Sequence, residues 1–291
     1  MTRYRVTHTT EYSADSRVSV CHNQAWLRPR NTNAQEIMDH NLSISPEPST
    51  LTWRQDTFGN HVAHLSFSEG YDRLVVKSES VAVVATPDRH SVPSTAWEQA
   101  RDQLKSNAAA QLANYQFLFS SRLVRTSPKL ADYAAQDFQP GRTVLESLIA
   151  LTHRIHTEFT YDPRATTIST PVEHVFEHKK GVCQDFAHVQ IAMLRSLGIP
   201  ARYVSGYVRT GNVPDRPGMI GADASHAWLS AYCPTLGWID ADPTNDTLTN
   251  DDHVTVAWAR DYSDIPPLRG VFIGGGQHKM KIGVSVSPIE D

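Results

Sequence analysis

Up to about residue 85, apolar and polar positions alternate in short runs, at residues 4–12, 17–26, 41–45, 61–67 and 74–84. A period of two sends successive side chains to opposite faces of a strand. Turn-forming clusters separate the runs, among them Pro46-Glu47-Pro48-Ser49 and Phe58-Gly59-Asn60. Strands at that spacing predict an antiparallel sandwich or barrel. After Pro87 the pattern changes. Ala, Gln, Asn and Leu dominate up to Pro140, and Ser94-Thr95-Ala96-Trp97-Glu98 carries a helix-start signature, so this stretch reads as a helical connector.

Beyond Thr143 the period lengthens. Leu145, Leu148, Ile149, Leu151, Thr152 and Ile155 recur at a spacing of three to four, which predicts a helix with one apolar face running to about Glu158. A second helix starts near Cys183 and continues through Phe186, Val189, Gln190, Met193, Leu194 and Leu197. Gly198, with Pro200 just beyond, is its stop signal. Strand-like stretches follow at 201–209, 227–233 and 238–240, then a polar, turn-rich segment to Pro267. Gly274-Gly275-Gly276 reads as a flexible break, and 279–287 as a last strand that either domain could take. The expected organisation is therefore α+β: a β-sandwich-like domain at 1–86, a helical connector at 87–140, and a domain of helices packed on an antiparallel sheet at 141–291.

Charge narrows the functional classes. Lys and Arg number 27 against 31 Asp and Glu, a net charge of −4, with no basic cluster beyond Lys179-Lys180. That leaves no electrostatic footprint for a nucleic-acid partner. No apolar run approaches the roughly 18 residues of a membrane span, and the N-terminal residues do not form an apolar signal core. The expectation is no membrane association and a cytoplasmic location. The three cysteines, Cys21, Cys183 and Cys233, lie far apart without a C-x-x-C spacing, so neither a disulfide framework nor a thiolate zinc site is indicated.

Of the three, Cys183 has the surroundings of a nucleophile. Gly181-Val182-Cys183-Gln184-Asp185-Phe186-Ala187-His188 puts it at a loop-to-helix junction, where unpaired N–H groups and the helix dipole favour a thiolate and can bind an oxyanion. A nucleophilic thiol needs a base, and the base needs an orienting acceptor. Ala224-Ser225-His226-Ala227-Trp228 offers a histidine at a strand start with an aromatic neighbour. Gly237-Trp238-Ile239-Asp240-Ala241-Asp242-Pro243-Thr244 offers an acid on the next strand. Asp240 and Asp242 share a face at period two, so spacing does not choose between them.

These blocks resemble the Cys, His and Asp boxes of the transglutaminase-like superfamily of papain-like cysteine enzymes. The likeness runs on through Leu197-Gly198-Ile199-Pro200-Ala201-Arg202-Tyr203-Val204-Ser205-Gly206-Tyr207 and Arg260-Asp261-Tyr262 to the bacterial members that carry an N-terminal β domain. The family's acid directly precedes Pro-Thr, which implies Asp242. The resemblance thus implies a catalytic set of Cys183, His226 and Asp242. It also implies a thioester intermediate, with hydrolysis of peptide or protein amides as the leading outcome and no cofactor. A transglutaminase or amide-forming activity is the alternative, with an ATP-grasp ligase as a possible partner by family analogy; a non-catalytic peptide-binding module is the third. A side-chain oxyanion donor is not evident at Glu177, His178, Lys179 or Lys180.

The remaining polar residues have plainer expectations. His188 and Asp185 are expected as a surface ion pair or as support for the site. His174 with His178, and His153 with His156, lack a third metal ligand and read as solvated helix faces. Trp228 and Trp238 are expected to pack the core, and Tyr161, Tyr203 and Tyr207 to pack it or line a groove. Asp223 and Ser225 read as turn residues.

Overall fold

The computed structural model describes residues 1–89, 91–106, 112–211, 218–221 and 224–289. Asp223 lies outside them. The fold is α+β, as the pattern predicts, and an N-terminal sheet of seven strands is joined to a five-stranded sheet by helices.

The N-terminal sheet contains β1 (Thr2–Ala25), β2 (Gln35–Ser45), β3 (Thr50–Gln55), β4 (His61–Phe67) and β5 (Tyr71–Val84), in the order β2-β5-β1-β4-β3. The sequence suggests two strands where the single long β1 lies. The register breaks between Ser13 and Val18, and the strand changes neighbours there. Its first half pairs with β5, its second half with β4. This bend curls the sheet around a core of Val18, Cys21, Ala25, Leu65, Phe67, Leu74 and Val76.

The helices follow. α1 (Trp97–Ser106), α2 (Leu112–Tyr115) and α3 (Pro128–Ala134) occupy the connector, and α4 (Val144–Glu158) begins the second layer. Thr143 caps α4: its hydroxyl accepts from the Glu146 N–H while the Glu146 carboxylate accepts from the Thr143 N–H, a reciprocal bond pair that satisfies two orphan donors. After β6 (Thr160–Tyr161), α5 (Val172–His178) and β7 (Lys180–Gly181) comes α6 (Cys183–Ser196). α6 is buried on nearly every side, and its buried polar residues Asp185, His188, Gln190 and Arg195 each make a hydrogen bond, as burial of such groups requires.

The second sheet is built from β8 (Ala201–Val208), β9 (His226–Cys233), β10 (Gly237–Asp242), β11 (Thr247–Leu248) and β12 (His253–Ala259), in the order β11-β10-β9-β8-β12. β12 falls where the sequence reads as polar and turn-rich. It is nonetheless a buried edge strand, and its edge is closed by side chains of the N-terminal sheet. The Gln35 amide donates to the Thr255 carbonyl and accepts from the Thr255 N–H (2.8 Å each). Asn60 does the same at Trp258, at 2.9 and 3.0 Å. Two side-chain amides thus stand in for a neighbouring strand and satisfy backbone groups that would otherwise be buried unpaired.

The chain ends in the first sheet. β13 (Leu268–Gly274) pairs with the second half of β1, and β14 (His278–Pro288) with its first half. The buried face of β1 also meets the second sheet directly. Tyr207 on β8 bonds His8 at 3.0 Å, and Tyr4 donates to Asp252 at 3.0 Å, beside the buried Arg209–Asp252 ion pair.

Candidate active site

Three short tethers hold Cys183. β6 and β7 pair in parallel, which ties the segment before the cysteine to the end of α4. Val182, extended at φ −115°, is the N-cap of α6. The Asp185 carboxylate then folds back to accept from the Val182 N–H at 2.8 Å and from the Thr166 hydroxyl at 2.6 Å. Burial raises the Asp185 carboxyl despite these bonds.

Gly181 leaves room for that carboxylate, since a Cβ there would lie 2.6 Å from Asp185 Oδ2. Gly181→Ala is therefore expected to displace Asp185 and unseat the first turn of α6. The cost is about 1–3 kcal/mol, as for overpacking elsewhere. A thermal melt together with the rate of Cys183 alkylation checks this, and unchanged values for both would refute it.

His226 opens β9, and Asp242 closes β10. Residues 226, 228 and 230 share one face of β9, and they meet the same face of β10. His226 Nε2 lies 2.8 Å from Asp242 Oδ2. Asp240 instead accepts from Trp228 Nε1 at 3.1 Å and from the Ser230 hydroxyl. The two acids that spacing could not separate thus have different partners. Both His226 and Asp242 are withdrawn from solvent.

Burial disfavours the imidazolium of His226, but the Asp242 carboxylate and then Cys183 outweigh it and raise this histidine to about 10. Burial likewise opposes the Asp242 charge, and His226 and His253 overcome it, holding the carboxyl below its ordinary range. With Nε2 engaged by Asp242, Nδ1 makes no hydrogen bond among the described residues.

Several residues around this cluster carry no sequence signal. Asn245 donates through Nδ2 to Asp242 Oδ2 at 2.7 Å, and its Oδ1 accepts from the Ile220 N–H at 2.9 Å. It thereby ties the 218–221 segment to the site. Gly221, at φ +89°, packs so tightly on the imidazole that a Cβ would lie 2.4 Å from His226 Nδ1. His253 reaches the same Asp242 oxygen from β12, at 3.3 Å. Burial, and after it the charge of Cys183, raise the hydroxyls of Tyr161 and Tyr203, so both lie within electrostatic reach of the sulfur.

Other expectations are corrected. His188 and Asp185 do not form a surface ion pair, because both are buried with separate partners. His188 Nε2 accepts from the Tyr262 N–H at 3.2 Å, and burial lowers this histidine to about 4. His156 donates to the Thr244 carbonyl at 3.1 Å and His153 contacts Asp246 at 2.7 Å, so α4 braces the turn after Asp242. The His174 and His178 rings stack at 4.1 Å. Trp228 and Trp238 pack as expected, Trp228 buried beside His226 and Trp238 against Phe117 and Tyr232. Tyr207 sits at the boundary with the N-terminal sheet.

A helix that starts at a cysteine and packs against an antiparallel sheet, on which a buried histidine engages a carboxylate, is consistent with a papain-like arrangement. Residues 132–243 match the transglutaminase-like superfamily, and residues 4–83 match the bacterial transglutaminase-like N-terminal region. An uncharacterized protein of Mycobacterium tuberculosis is 37% identical over 297 residues, which covers 99% of this chain and 93% of that one. The chain belongs to the bacterial transglutaminase-like proteins.

More distant matches are to proteins named for an activity. A protein-glutamine gamma-glutamyltransferase of Pseudomonas aeruginosa is 29% identical over 118 residues, covering 40% of this chain and 17% of its own. The crystal structure of a candidate cysteine protease from Cytophaga hutchinsonii aligns over 100% of this chain and 91% of that one, with a TM-score of 0.75 and 22% identity. Both sheets and the helices between them thus recur together.

The expected cytoplasmic location is overturned. The fold's solved relatives include the periplasmic domain of TgpA from Pseudomonas aeruginosa, at a TM-score of 0.39 and 18% identity over 82% of this chain and 90% of that one. No helix of the described residues is long and apolar enough to cross a membrane.

Proposed function

We propose that this protein is a cysteine-dependent acyl-transfer enzyme that cleaves amide bonds in a peptide or protein substrate, with water as the acyl acceptor. The observation that carries this reading is the fully buried His226, engaged by Asp242 on one nitrogen and open to Cys183 on the other. Cys183 thiolate attacks the carbonyl carbon, and the N–H groups of Cys183 and Gln184, ahead of the Asp185 and Phe186 N–H groups that bond the Val182 carbonyl, hold the oxyanion. The imidazolium of His226 gives its proton to the departing amine as the C–N bond breaks, which leaves a thioester on Cys183. Water then gives a proton to His226 and its oxygen to the acyl carbon, and the thiolate is released. Asp242 keeps its charge throughout and fixes the ring.

The match to a protein-glutamine gamma-glutamyltransferase favours a second outcome at the same thioester, in which an amine replaces the water. A fluorescent amine offered with a protein substrate separates the two: label appears in the product only if an amine is accepted.

Selective alkylation tests the shared first step. Cys21, Cys183 and Cys233 are all buried, so burial alone predicts similar slow reaction with iodoacetamide. The expected result is rapid alkylation at Cys183 only, with His226→Ala abolishing the preference, read by intact mass and peptide mapping. Equal rates at the three thiols would sink the proposal.

A further inference from the structure

Asp242 is fully enclosed, and its carboxylate is saturated with donors. Oδ1 accepts from the N–H groups of Thr244 at 2.9 Å and Asn245 at 3.3 Å. Oδ2 faces His226 Nε2 at 2.8 Å, Asn245 Nδ2 at 2.7 Å and His253 Nε2 at 3.3 Å. Two histidines, one from β9 and one from the edge strand β12, therefore converge on one oxygen. A buried carboxylate retains its charge only where such donors replace water.

The surroundings of His253 specify which nitrogen carries its proton. The Asn250 N–H points at His253 Nδ1, 3.3 Å away. A backbone N–H has no alternative role, so Nδ1 must accept and the proton sits on Nε2, towards Asp242. Asn250 Oδ1, 3.2 Å from Nδ1, accepts from the Asp252 N–H at 2.9 Å, and the ionised Asp242 Oδ2 can only accept from Nε2, which places the proton there. The Trp228 ring meets the His253 ring edge-on, with centroids 5.3 Å apart at 82°, and packs against the imidazole. The same tryptophan packs on His226, at 6.1 Å.

We propose that His253 is a positioning residue for the acyl-transfer site: its Nε2–H pins Asp242 Oδ2 so that the carboxylate stays ionised and aimed at His226. This rests on the reading of Cys183 and His226 as the reacting pair. Without that donor, Oδ2 loses its restraint from the β12 side, and the charge of Asp242 is held by four donors instead of five. The Cys183–His226 pair is then presented less often in reactive alignment, while substrate contacts are untouched.

Two variants of similar volume isolate the hydrogen bond, because glutamine keeps an N–H donor and methionine has none. The probes are a peptide aminomethylcoumarin amide for turnover and iodoacetamide for Cys183. His253→Met is expected to lower kcat by about ten-fold, the loss expected from one hydrogen bond to a charged group, with KM near that of the parent. His253→Gln is expected to recover most of it at a similar Tm. Cys183 alkylation should follow the same order. Nitrogen-15 NMR of the unmodified protein should find the His253 proton on Nε2, a readout that holds even if a variant fails to fold.

The proposal is overturned if His253→Met matches the parent in both rates, if Gln and Met fall together, or if the proton resides on Nδ1. Failure of the enzyme reading looks different. Turnover would then survive Cys183→Ala or be missing from the parent, while the alkylation order and the NMR result would still report on His253.

Discussion

Cys183→Ala is expected to remove turnover almost entirely, by at least roughly 10⁴-fold, because the nucleophile is the one member of the reacting group that nothing else replaces. The same variant should leave the fold intact. Cys183 lies in the first turn of α6 and contributes a small side chain to the core. Alanine suits a helix, and losing one buried sulfur costs about 1 kcal/mol. The helix start itself is held by Asp185, Val182 and the paired strands β6 and β7, none of which the substitution touches. Intact mass after incubation with substrate should show an acyl adduct on the parent protein and none on the variant. Turnover retained by Cys183→Ala at an unchanged Tm would overturn the acyl-transfer reading altogether.

The parts of the chain that could be read in advance are those whose partners are near in sequence. α4 is legible because Thr143 and Glu146 cap each other and its apolar residues keep one period. α6 is legible because Phe186, Val189, Met193, Leu194 and Leu197 recur at a spacing of three to four and the helix stops at Gly198. His226 and Asp242 lie on adjacent strands of one hairpin, so a reading that finds the hairpin finds their contact.

The parts that escaped depend on distant partners. β12 follows the turn-like Asn250-Asp251-Asp252, but 253–259 is itself an apolar, β-branched run that a reading of the whole segment as polar passes over; what is not local is its edge, satisfied by Gln35 and Asn60 about two hundred residues away. No local pattern announces such a pairing. His253 was hidden with its strand, and Asn245 looked like part of a turn. The continuity of β1 was obscured by the polar stretch at its bend, where alternation breaks although pairing resumes. The choice between Asp240 and Asp242 needed family likeness, since period two treats them alike; in the structure their acceptor roles diverge, one towards Trp228 and Ser230, the other towards His226.

Asp242→Asn is expected to lower turnover by about 10⁴-fold, the scale seen when an orienting carboxylate is replaced by an amide in serine triads. Here His226, Asn245 and His253 all present donors to Oδ2. An amide NH2 at that position would oppose three donors. If the amide flips instead, its NH2 confronts the N–H groups of Thr244 and Asn245 at Oδ1. In the first orientation His226 must accept on Nε2 and carry its proton on Nδ1, so it can no longer take one from Cys183.

The charge matters as much as the geometry. Burial lowers His226, and Asp242 is the largest influence that raises it. The asparagine variant should therefore lose the imidazolium at neutral pH, and the alkaline limb of its pH–rate profile should move down from about 10. Stability follows the same sign. The raised His226 contributes fully below its unfolded value of about 6.5 and is lost as pH climbs through its folded value. The depressed Asp242 contributes above its unfolded value of about 3.9 and is lost as pH falls towards its folded one. Both contributions vanish in Asp242→Asn, so its Tm should vary less with pH than that of the parent. Asp240→Asn is the control: it weakens acceptors for Trp228 and Ser230, which should cost stability of about 1–3 kcal/mol but change turnover only a few-fold. The reverse ranking of the two variants would move the orienting acid to Asp240.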